Sequence, residues 1–379
     1  MAPGPALYIH VPFCVRKCYY CDFVSQPYST DLANQYLWAL RREAQLYLTS
    51  WPRGQEVASI YVGGGTPTVL TPKELKQLLQ VIATFPGTAG AEWTVEANPG
   101  TISQEKLHLL RQFGVNRLSL GVQSFDDNLL RYLGRIHTAD EARQAWQQAR
   151  RAGFDNLSLD LIYAVPGQSL PLWRQTLSEA LALAPDHVST YSLMIEEGTE
   201  FARRGITPCA EELDLAQYQE AQGLLQGAGL LQYEISNFAR PGFACKHNLV
   251  YWHNEPYLGL GAAAVSYLNN ERRTNVNDVP RYVQLLKKGQ CPIGDREQTT
   301  VELAQAETVI LALRLKEGLS RSRFRDRFGQ DVDEVYPTGI RWLLEYGLVE
   351  LDQESLRLTP KGWLLANQVA MVFLPNSPS

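Results

Sequence analysis

Short runs of β-branched and aromatic residues alternate with longer amphipathic stretches through the first half of the chain. The short runs predict strands, and the stretches with apolar residues every three or four positions predict helices. Six such repeats predict a parallel sheet with right-handed crossovers, either open or closed into a partial barrel. The predicted strands cover 7–11, 59–62, 93–96, 117–121, 156–162 and 187–193. The predicted helices cover 31–49, 72–84, 103–113, 139–151 and 170–183.

The pattern changes after about residue 200, which divides the chain into three predicted regions. Residues 1–200 form a partial (β/α)6 TIM-like barrel in an α/β fold. Residues 201–300 are expected to be a loop-rich extension with one helix, 211–226, ended by a glycine pair. Residues 301–375 combine helical stretches with a hairpin at 348–358, which predicts a winged-helix-like α+β module. The tail, 375–379, is expected to be disordered.

The chain has 379 residues, of which 45% are hydrophobic, and a formal net charge of −5. A protein without a basic field is not expected to hold nucleic acid, so the C-terminal module is expected to serve packing or partner docking. The sequence has no signal-peptide pattern at its start and no run of about 18 apolar residues. We therefore expect a cytoplasmic protein.

Three cysteines, Cys14, Cys18 and Cys21, follow the first predicted strand with the spacing CxxxCxxC. A cubane iron–sulfur cluster normally takes four thiolate ligands, so three would leave one iron open to a small molecule. Zinc is the alternative, with His10 as a fourth ligand, although zinc sites are often built from two CxxC pairs. The remaining cysteines are scattered and predict no site: Cys209, Cys245 and Cys291.

Polar residues and glycines stand where several predicted strands end. Gly63-Gly-Gly-Thr-Pro67 follows the second strand, and its glycines would let a ligand approach the backbone N–H groups. Other strand ends carry Glu96, Gln123 and Asp160, and Arg135 follows nearby. The carboxyl ends of parallel strands meet at one edge, where barrels build their sites. Together these groups suit a zwitterionic nucleoside, whereas each alone suits a structural salt bridge equally well.

A fourth motif, His247-Asn-Leu-Val-Tyr-Trp252, lies in the region expected to be loop-rich. Cys245 stands just before it and His253 just after it. A histidine among aromatic residues can ligate a heme iron. The structural alternative is a capped, hydrogen-bonded histidine, which the residues alone favour.

The cysteine motif, the Gly-Gly-Gly-Thr-Pro strand end and the partial barrel resemble the radical S-adenosylmethionine (radical SAM) superfamily. The similarity runs from Tyr8 to the C-terminal module and is greatest to the coproporphyrinogen oxidase-like branch. In that branch the oxygen-independent coproporphyrinogen III oxidases carry one more cysteine, where this chain has Phe23. HemW-type heme chaperones lack that cysteine and carry HNxxYW, which the residues from His247 to Trp252 match.

This resemblance implies roles for individual residues. Cys14, Cys18 and Cys21 would hold a 4Fe–4S cluster, and S-adenosylmethionine would chelate its open iron through amino and carboxylate groups. His247 would be the heme contact. In the oxidases some of the S-adenosylmethionine positions serve a second molecule of the cofactor. The residues that match S-adenosylmethionine positions are Tyr8, Gly64, Gly65, Thr66, Glu96, Gln123, Arg135 and Asp160.

The resemblance implies that the protein binds heme and transfers it to an acceptor protein, with the cluster gating transfer or oligomerisation. The alternative is an oxygen-independent coproporphyrinogen III oxidase, which decarboxylates propionate side chains. A third option is a radical enzyme acting on an unrelated substrate. Whether S-adenosylmethionine is cleaved stays open. The implied partners are heme, an unidentified heme donor and acceptor, and a second copy of the chain in a homodimer. Peripheral attachment to a membrane through such partners also stays open.

Overall fold

The computed structural model describes residues 4–51 and 54–375. Except for Pro375, the tail that we expect to be disordered lies outside these residues. In the first 200 residues the strands are β1 (Ala6–Val11), β2 (Phe13–Cys14), β3 (Gln26–Pro27), β4 (Ser59–Gly64), β5 (Glu92–Ala97), β6 (Arg117–Gln123), β7 (Asn156–Tyr163) and β8 (His187–Ser192). The helices are α1 (Thr30–Thr49), α2 (Pro72–Ile82), α3 (Gln104–Gln112), α4 (Asp127–Leu133), α5 (Ala139–Arg151), α6 (Leu170–Ala182) and α7 (Glu200–Arg203).

The predicted strands and helices of this half are confirmed to within a few residues. Local chemistry explains their sharp boundaries, because Thr71 and Thr138 each form a capping box at the start of a helix. The sequence pattern does not predict helix α4, because seven residues are too few to show a helical period. It ends at Gly134, which takes the left-handed conformation.

The region predicted to be loop-rich, 201–300, instead contributes strands to both edges of the sheet. Its helices are α8 (Glu211–Gly227), α9 (Lys246–Trp252) and α10 (Val279–Lys287). Its strands are β9 (Leu231–Gln232), β10 (Asn237–Ala239), β11 (Tyr257–Leu260), β12 (Val265–Leu268), β13 (Glu271–Asn275) and β14 (Ile293–Gln298). Most of these strands are short, and such strands depend on their neighbours for pairing rather than on a long alternating pattern.

In the described residues one sheet of twelve strands runs in the order β14-β13-β12-β11-β1-β4-β5-β6-β7-β8-β10-β9. Strands β11, β1 and β4 to β8 pair in parallel, as the repeats predicted for the barrel portion. The main hydrophobic core lies between this sheet and its helices, with Trp93 and Trp173 fully buried. The opposite, inner face of the sheet carries polar residues and the cavities described below.

The C-terminal region forms a module with its own hydrophobic core, as predicted. A three-stranded sheet in the order β15-β17-β16 packs with the helices, in a winged-helix-like arrangement. The division into three domains at residues 200 and 300 stays a prediction. The module comprises α11 (Val301–Ala312), β15 (Leu319–Ser320), α12 (Arg321–Phe328), α13 (Val332–Val335), α14 (Pro337–Glu345), β16 (Val349–Leu351), β17 (Ser355–Leu358), α15 (Pro360–Leu364) and α16 (Ala366–Met371).

The C-terminal module packs against the end of α9. The Asn254 side-chain amide donates a hydrogen bond to Thr308 Oγ1 at 3.0 Å, and Arg327 donates to the Asn254 carbonyl at 2.8 Å. The Arg314 guanidinium lies over the Trp252 ring at 5.2 Å from its centroid. Among the described residues no helix is both long enough and apolar enough to cross a bilayer.

A fully buried carboxylate joins the first helix to the strands added by the second half. Glu43 accepts hydrogen bonds from the Asn275 amide at 2.6 Å, the Gly261 N–H at 2.8 Å and the Tyr282 hydroxyl at 2.5 Å. Burial raises the pKa of Glu43 to about 7, and these hydrogen bonds oppose that rise. A buried carboxylate with three donors holds α1, α10 and the turn after β11 in one arrangement.

Candidate functional site

The cysteine loop, residues 13–24, leaves the carboxyl end of β1 and is tied to its surroundings at several points. His10 Nε2 donates to the Val24 carbonyl at 2.8 Å, which closes the base of the loop. Further along, the Tyr19 N–H donates to the Leu133 carbonyl at 3.1 Å. The Arg16 guanidinium donates to the carbonyl of Gly134 at 2.8 Å. The loop is therefore anchored to β1 at its base and to the end of α4 further along.

The three thiols of this loop are partly exposed at the carboxyl edge of the sheet. Cys14 Sγ lies 3.5 Å from Thr66 Oγ1, and Arg135 donates to Cys18 Sγ at 3.4 Å. Burial raises the pKa of Cys14, and it raises the pKa of Cys21 to about 11. Cys14 and Cys21 are therefore neutral without a metal, and ligation would deprotonate them.

The described side chains do not provide the four-ligand site that the zinc alternative requires. Within the described residues no three His, Cys, Asp or Glu side chains converge on one ion. A cubane binds each thiolate to a separate iron, whereas zinc needs four ligands around one centre. His10, the fourth ligand in the zinc alternative, is 5% exposed and has both ring nitrogens hydrogen-bonded. The geometry therefore gives the zinc alternative no support.

A cavity of about 390 Å³ opens beside the cysteine loop, and we call it the cluster cavity. All three cysteines line it, together with all but one of the residues that the resemblance assigns to S-adenosylmethionine. Tyr8 is the exception, because it lines a second cavity. The matching residues in the cluster cavity are Gly64, Gly65, Thr66, Glu96, Gln123, Arg135 and Asp160.

Carboxylates on the inner face give the cluster cavity its negative side. Glu96 accepts hydrogen bonds from the Tyr61 hydroxyl at 2.7 Å and from the Gly64 N–H at 3.2 Å. Burial raises the pKa of Glu96 to about 7, and the neighbouring Asp160 adds to that rise. Burial also raises the pKa of Asp160, against hydrogen bonds from Ser119 at 3.0 and 3.1 Å. A bound cation would favour the ionised form of both carboxylates.

Two further polar residues of the cavity wall, Gln123 and Arg135, are strained or incompletely hydrogen-bonded. Gln123 ends β6 with φ at 70°, a left-handed conformation that costs a non-glycine residue energy. Arg135 donates to the Gly121 carbonyl at 2.5 Å and to Cys18, but its buried Nε–H has no partner. A buried donor without a partner is costly, so the geometry leaves Arg135 a hydrogen bond to give to a ligand.

The His247–Trp252 motif forms helix α9, which closes the amino end of the barrel. His247 is 1% exposed, and its ring lies 5.2 Å from the Tyr61 ring. Its Nδ1 lies 2.9 Å from Ser59 Oγ, and its Nε2 lies 3.0 Å from the Tyr251 hydroxyl. Burial, helped by the nearby Arg117, lowers the pKa of His247 to about 3, so the imidazole is neutral.

A second cavity of about 370 Å³ lies on the other side of Tyr8, and we call it the aromatic cavity. Its wall includes residues from β1, the cysteine loop, α9 and the strands that follow: Tyr8, His10, Asp22, Phe23, Val24, Tyr251, Tyr257, Ala263 and Val265. Asp22 and Phe23 also line the cluster cavity, so the cysteine loop forms a shared wall.

Helix α9 reaches both cavities, through Asn248 to the cluster cavity and through Tyr251 to the aromatic cavity. Neither cavity, as lined by the described residues, has His247 in its wall. In this conformation the motif therefore presents its asparagine and tyrosine, while its histidine is enclosed.

Sequence reasoning missed Arg117 and Tyr61, which both line the cluster cavity. Arg117 is 2% exposed and its Nε–H has no partner, while Tyr61 joins Glu96 to the His247 ring. The available signal for Arg117 was a charged residue inside an apolar strand, Arg117-Leu-Ser-Leu. A buried charge in such a strand needs compensating partners, which marks a functional or structural site.

Comparison with known proteins places the chain in a family. A protein of Bacillus subtilis (strain 168) named heme chaperone HemW is 39% identical over 97% of this chain and 98% of its own. The chain belongs to the HemW family. Another HemW, of Synechocystis sp., is 35% identical over 96% of this chain and 95% of its own. The Escherichia coli HemW is 39% identical over 69% of this chain and 70% of its own.

Family models and a solved structure agree with membership of the HemW family. The radical SAM superfamily model matches residues 8–180, and the HemN C-terminal domain model matches residues 304–365. The structure of the Escherichia coli coproporphyrinogen III oxidase HemN, described as a radical SAM enzyme, superposes with a TM-score of 0.87. It is 26% identical and covers 98% of this chain and 90% of its own.

Radical SAM membership of the HemW family implies a 4Fe–4S cluster and S-adenosylmethionine, and the residues present fit both. The cluster cavity offers three thiols on one loop, a glycine-rich turn, two carboxylates and the unpartnered Arg135 Nε–H. Thiolates suit iron, while carboxylates and backbone N–H groups suit the ammonium and carboxylate of an amino acid. A bound cluster with S-adenosylmethionine supplies one-electron reduction chemistry, and the chain's residues orient and enclose it.

Gly64→Ala should disrupt the turn beneath the cluster cavity. Gly64 has φ at 102°, and an added Cβ would lie 2.5 Å from the His10 ring, inside the network that closes the cysteine loop. Backbone strain should lower the free energy of unfolding by about 1 kcal/mol. The clash with His10 should raise the total loss to several kcal/mol. Gly114→Ala is the matched control, because Gly114 has φ at 95° and open space around its Cβ position. Denaturant unfolding should separate the variants, and equal losses of stability would contradict the steric argument.

Affinity for S-adenosylmethionine should fall as Glu96 becomes protonated. The folded-state pKa of Glu96, about 7, lies above the ordinary value, so the carboxylate is lost as pH falls through 7. Since a bound ammonium prefers the ionised form, affinity should drop about tenfold from pH 8 to pH 6. Equilibrium binding to cluster-loaded protein measures this. Glu96→Gln should bind S-adenosylmethionine weakly, and its affinity should change less with pH than that of the wild type. If the affinity of the variant changes with pH as much as that of the wild type, the titrating group is another residue, such as Asp160.

Proposed function

We propose that this chain is a heme chaperone, which binds heme beside helix α9 and passes it to an acceptor protein. It would carry a 4Fe–4S cluster and exchangeable S-adenosylmethionine in the cluster cavity. The observation that carries the proposal is the position of the His247–Trp252 helix, which contributes Asn248 to one cavity and Tyr251 to the other. The names of relatives such as the Bacillus subtilis heme chaperone HemW support the same function.

The aromatic cavity has the surface that a flat, apolar macrocycle requires. Tyr251 and Tyr257 pack edge to face with ring centroids 4.7 Å apart, and Phe23 is 60% exposed beside them. Aromatic walls of this kind bury large apolar area with little loss of side-chain entropy. Phe23 stands where the oxidases carry their further cysteine, so the difference between the two subfamilies falls on this wall.

The cysteine loop is suited to gate the aromatic cavity. Because Asp22 and Phe23 line both cavities, any ordering of Cys14, Cys18 and Cys21 on a cluster would set the shape of the shared wall. Metal–thiolate bonding supplies folding energy to the segment that carries the ligands. We therefore propose that cluster loading controls heme release, oligomerisation or both.

The proposed interactions are with a heme donor, with a heme acceptor, with a second copy of the chain in a homodimer and, through partners, with a membrane. The C-terminal module is proposed to support partner docking, because it packs on the end of α9 through Thr308 and Arg327. A nucleic-acid partner is not proposed, since the formal net charge is −5. The proposed location is the cytoplasm.

A second candidate, the coproporphyrinogen III oxidase reaction, is favoured by one observation. The HemN structure superposes over nearly the whole chain with a TM-score of 0.87. That reaction needs the cluster cavity to place a propionate next to S-adenosylmethionine, and Arg117 and Arg135 line it. The absence of the further cysteine at Phe23 counts against this candidate.

The two candidates separate in one experiment on anaerobically purified, cluster-loaded protein. Titration with heme, followed by visible absorption, should saturate at about one heme per chain because the aromatic cavity is a single site. Incubation with coproporphyrinogen III, S-adenosylmethionine and a reductant should leave the substrate unchanged. Formation of protoporphyrinogen together with failure to saturate with heme would replace the chaperone by the oxidase.

Replacement of Cys14, Cys18 and Cys21 together by Ser should leave heme binding in place and change the rate of heme transfer to an apo heme protein. The physical reason is loss of the order that the cluster gives to the shared wall. Cys209→Ser with Cys291→Ser is the matched control, since these thiols lie outside both cavities as the described residues line them. Stopped-flow absorption measures the transfer rate, and a rate unchanged in the triple variant would remove the gating role.

A further inference from the structure

The aromatic cavity is lined by two tyrosines that are each hydrogen-bonded to a buried imidazole. Tyr251 on α9 pairs with Nε2 of His247 at 3.0 Å, and Tyr8 on β1 pairs with Nδ1 of His10 at 3.1 Å. Both tyrosines belong to the cavity wall. Tyr251 follows His247 by four positions on one helix, so the spacing itself brings the two side chains together.

A tyrosine paired with an imidazole is a chemically competent heme ligand. Phenolate is one of the side-chain groups that proteins use to hold heme iron. A hydrogen-bonding partner behind a metal ligand fixes the ligand's orientation and tunes its basicity. The pair of Tyr251 and His247 has this construction, since Tyr251 belongs to the cavity wall and its hydroxyl lies 3.0 Å from the enclosed His247 imidazole.

The enclosed imidazole is poorly placed to bind iron itself. His247 is 1% exposed, and Ser59 and Tyr251 occupy its two ring nitrogens. Its ring also stacks on Tyr61, and its backbone N–H donates to Glu92 at 3.2 Å. Direct ligation would break these contacts and move the first turn of α9, whereas ligation by Tyr251 keeps them.

We propose that Tyr251 is the iron ligand for ferric heme in the aromatic cavity and that His247 is its positioning residue. This inference rests on the proposed heme-binding function and names the ligand at that site. It assigns the histidine of the motif to the role of hydrogen-bond partner and the tyrosine to the role of ligand. Tyr257, Phe23 and Val265 would then pack against the macrocycle.

Ligation exchanges one proton without any redox step. The step starts from the tautomer of neutral His247 in which Nε2 accepts from the Tyr251 hydroxyl and Nδ1–H donates to Ser59 Oγ. The iron–oxygen bond forms as the phenolic O–H bond breaks. The neutral imidazole then takes its other tautomer, with Nε2–H donating to the phenolate oxygen and Nδ1 accepting from the Ser59 hydroxyl. One proton per heme is released to solvent, and the iron remains ferric.

The test is the absorption and electron paramagnetic resonance spectrum of the full chain with ferric heme. The wild type should give a high-spin ferric species with a phenolate-to-iron charge-transfer band. Tyr251→Phe should lose that band and about tenfold or more in heme affinity. Tyr267→Phe is the matched control, because it removes the hydroxyl of a buried tyrosine outside the cavity wall and should leave the spectrum unchanged. His247→Gln should keep a shifted charge-transfer band, since glutamine still offers a hydrogen bond to the phenolate.

The outcomes separate this inference from the function on which it rests. If the wild type binds no heme saturably, the proposed function fails and the inference fails with it. If the wild type binds heme but Tyr251→Phe keeps its spectrum and affinity, the ligand assignment alone is overturned. Loss of ligation in His247→Gln with retention in Tyr251→Phe would make His247 the ligand, and loss in Tyr8→Phe alone would move the ligand to β1. Melting curves of each heme-free variant check that the substitution leaves the fold intact.

Discussion

The close contact between the end of β1 and the glycine-rich turn after β4 is the constraint on which the site depends. The two strands pair in parallel with Val11 opposite Gly64. The pairing continues where the Gly65 N–H donates to the Val11 carbonyl of β1 and the Thr66 N–H donates to the Phe13 carbonyl of the cysteine loop. A Cβ on Gly65 would lie 2.7 Å from the Phe13 carbonyl oxygen. Only glycine therefore lets the cysteine loop rest directly on the sheet edge, with Cys14 beside Thr66.

The inner face of the sheet is polar, and helix α9 is what makes that face stable. Arg117 is buried on this face, and the Glu92 carboxylate that helps to compensate its charge also holds the backbone of His247. Most buried polar groups in proteins are partnered, and here the Glu92 carboxylate joins the helix and the strand start in one network. The HNxxYW motif consequently has a structural role in closing the barrel as well as the role proposed in binding heme.

The two cavities are connected on two sides by residues that contact both or bridge between them. Residues Asp22 and Phe23 separate them and line both. From the other side, Glu96, Tyr61 and the His247 ring form a chain of hydrogen bonding and stacking from the cluster cavity to the Tyr251 hydroxyl. A change at one cavity has two contiguous routes to the other, and the proposed gating of heme release by the cluster would use them.

Much of the barrel could be predicted from the sequence, because alternating strands and helices bury their apolar faces against one sheet. The position of the site could also be predicted, because the carboxyl ends of parallel strands share one edge. That rule predicts that Cys14, Gly64, Glu96 and Asp160 meet at one edge of the sheet, and all four line the cluster cavity. Short strands such as β10 and β11 could not be predicted, because pairing with neighbouring strands stabilises them rather than an alternating pattern of their own. The same limit hid α4 and the addition of β11 beside β1.

The sequence by itself determined which chemical groups are present, their order along the chain and the edge of the sheet at which most of them meet. Only the tertiary structure decided which of the two cavities each side chain lines. It places Tyr8 in the wall of the aromatic cavity rather than in that of the cluster cavity. It also decided that both nitrogens of His247 are occupied, by Ser59 from β4 and by Tyr251. Contacts between residues 188 positions apart depend on how elements pack, and no local pattern of side chains encodes them.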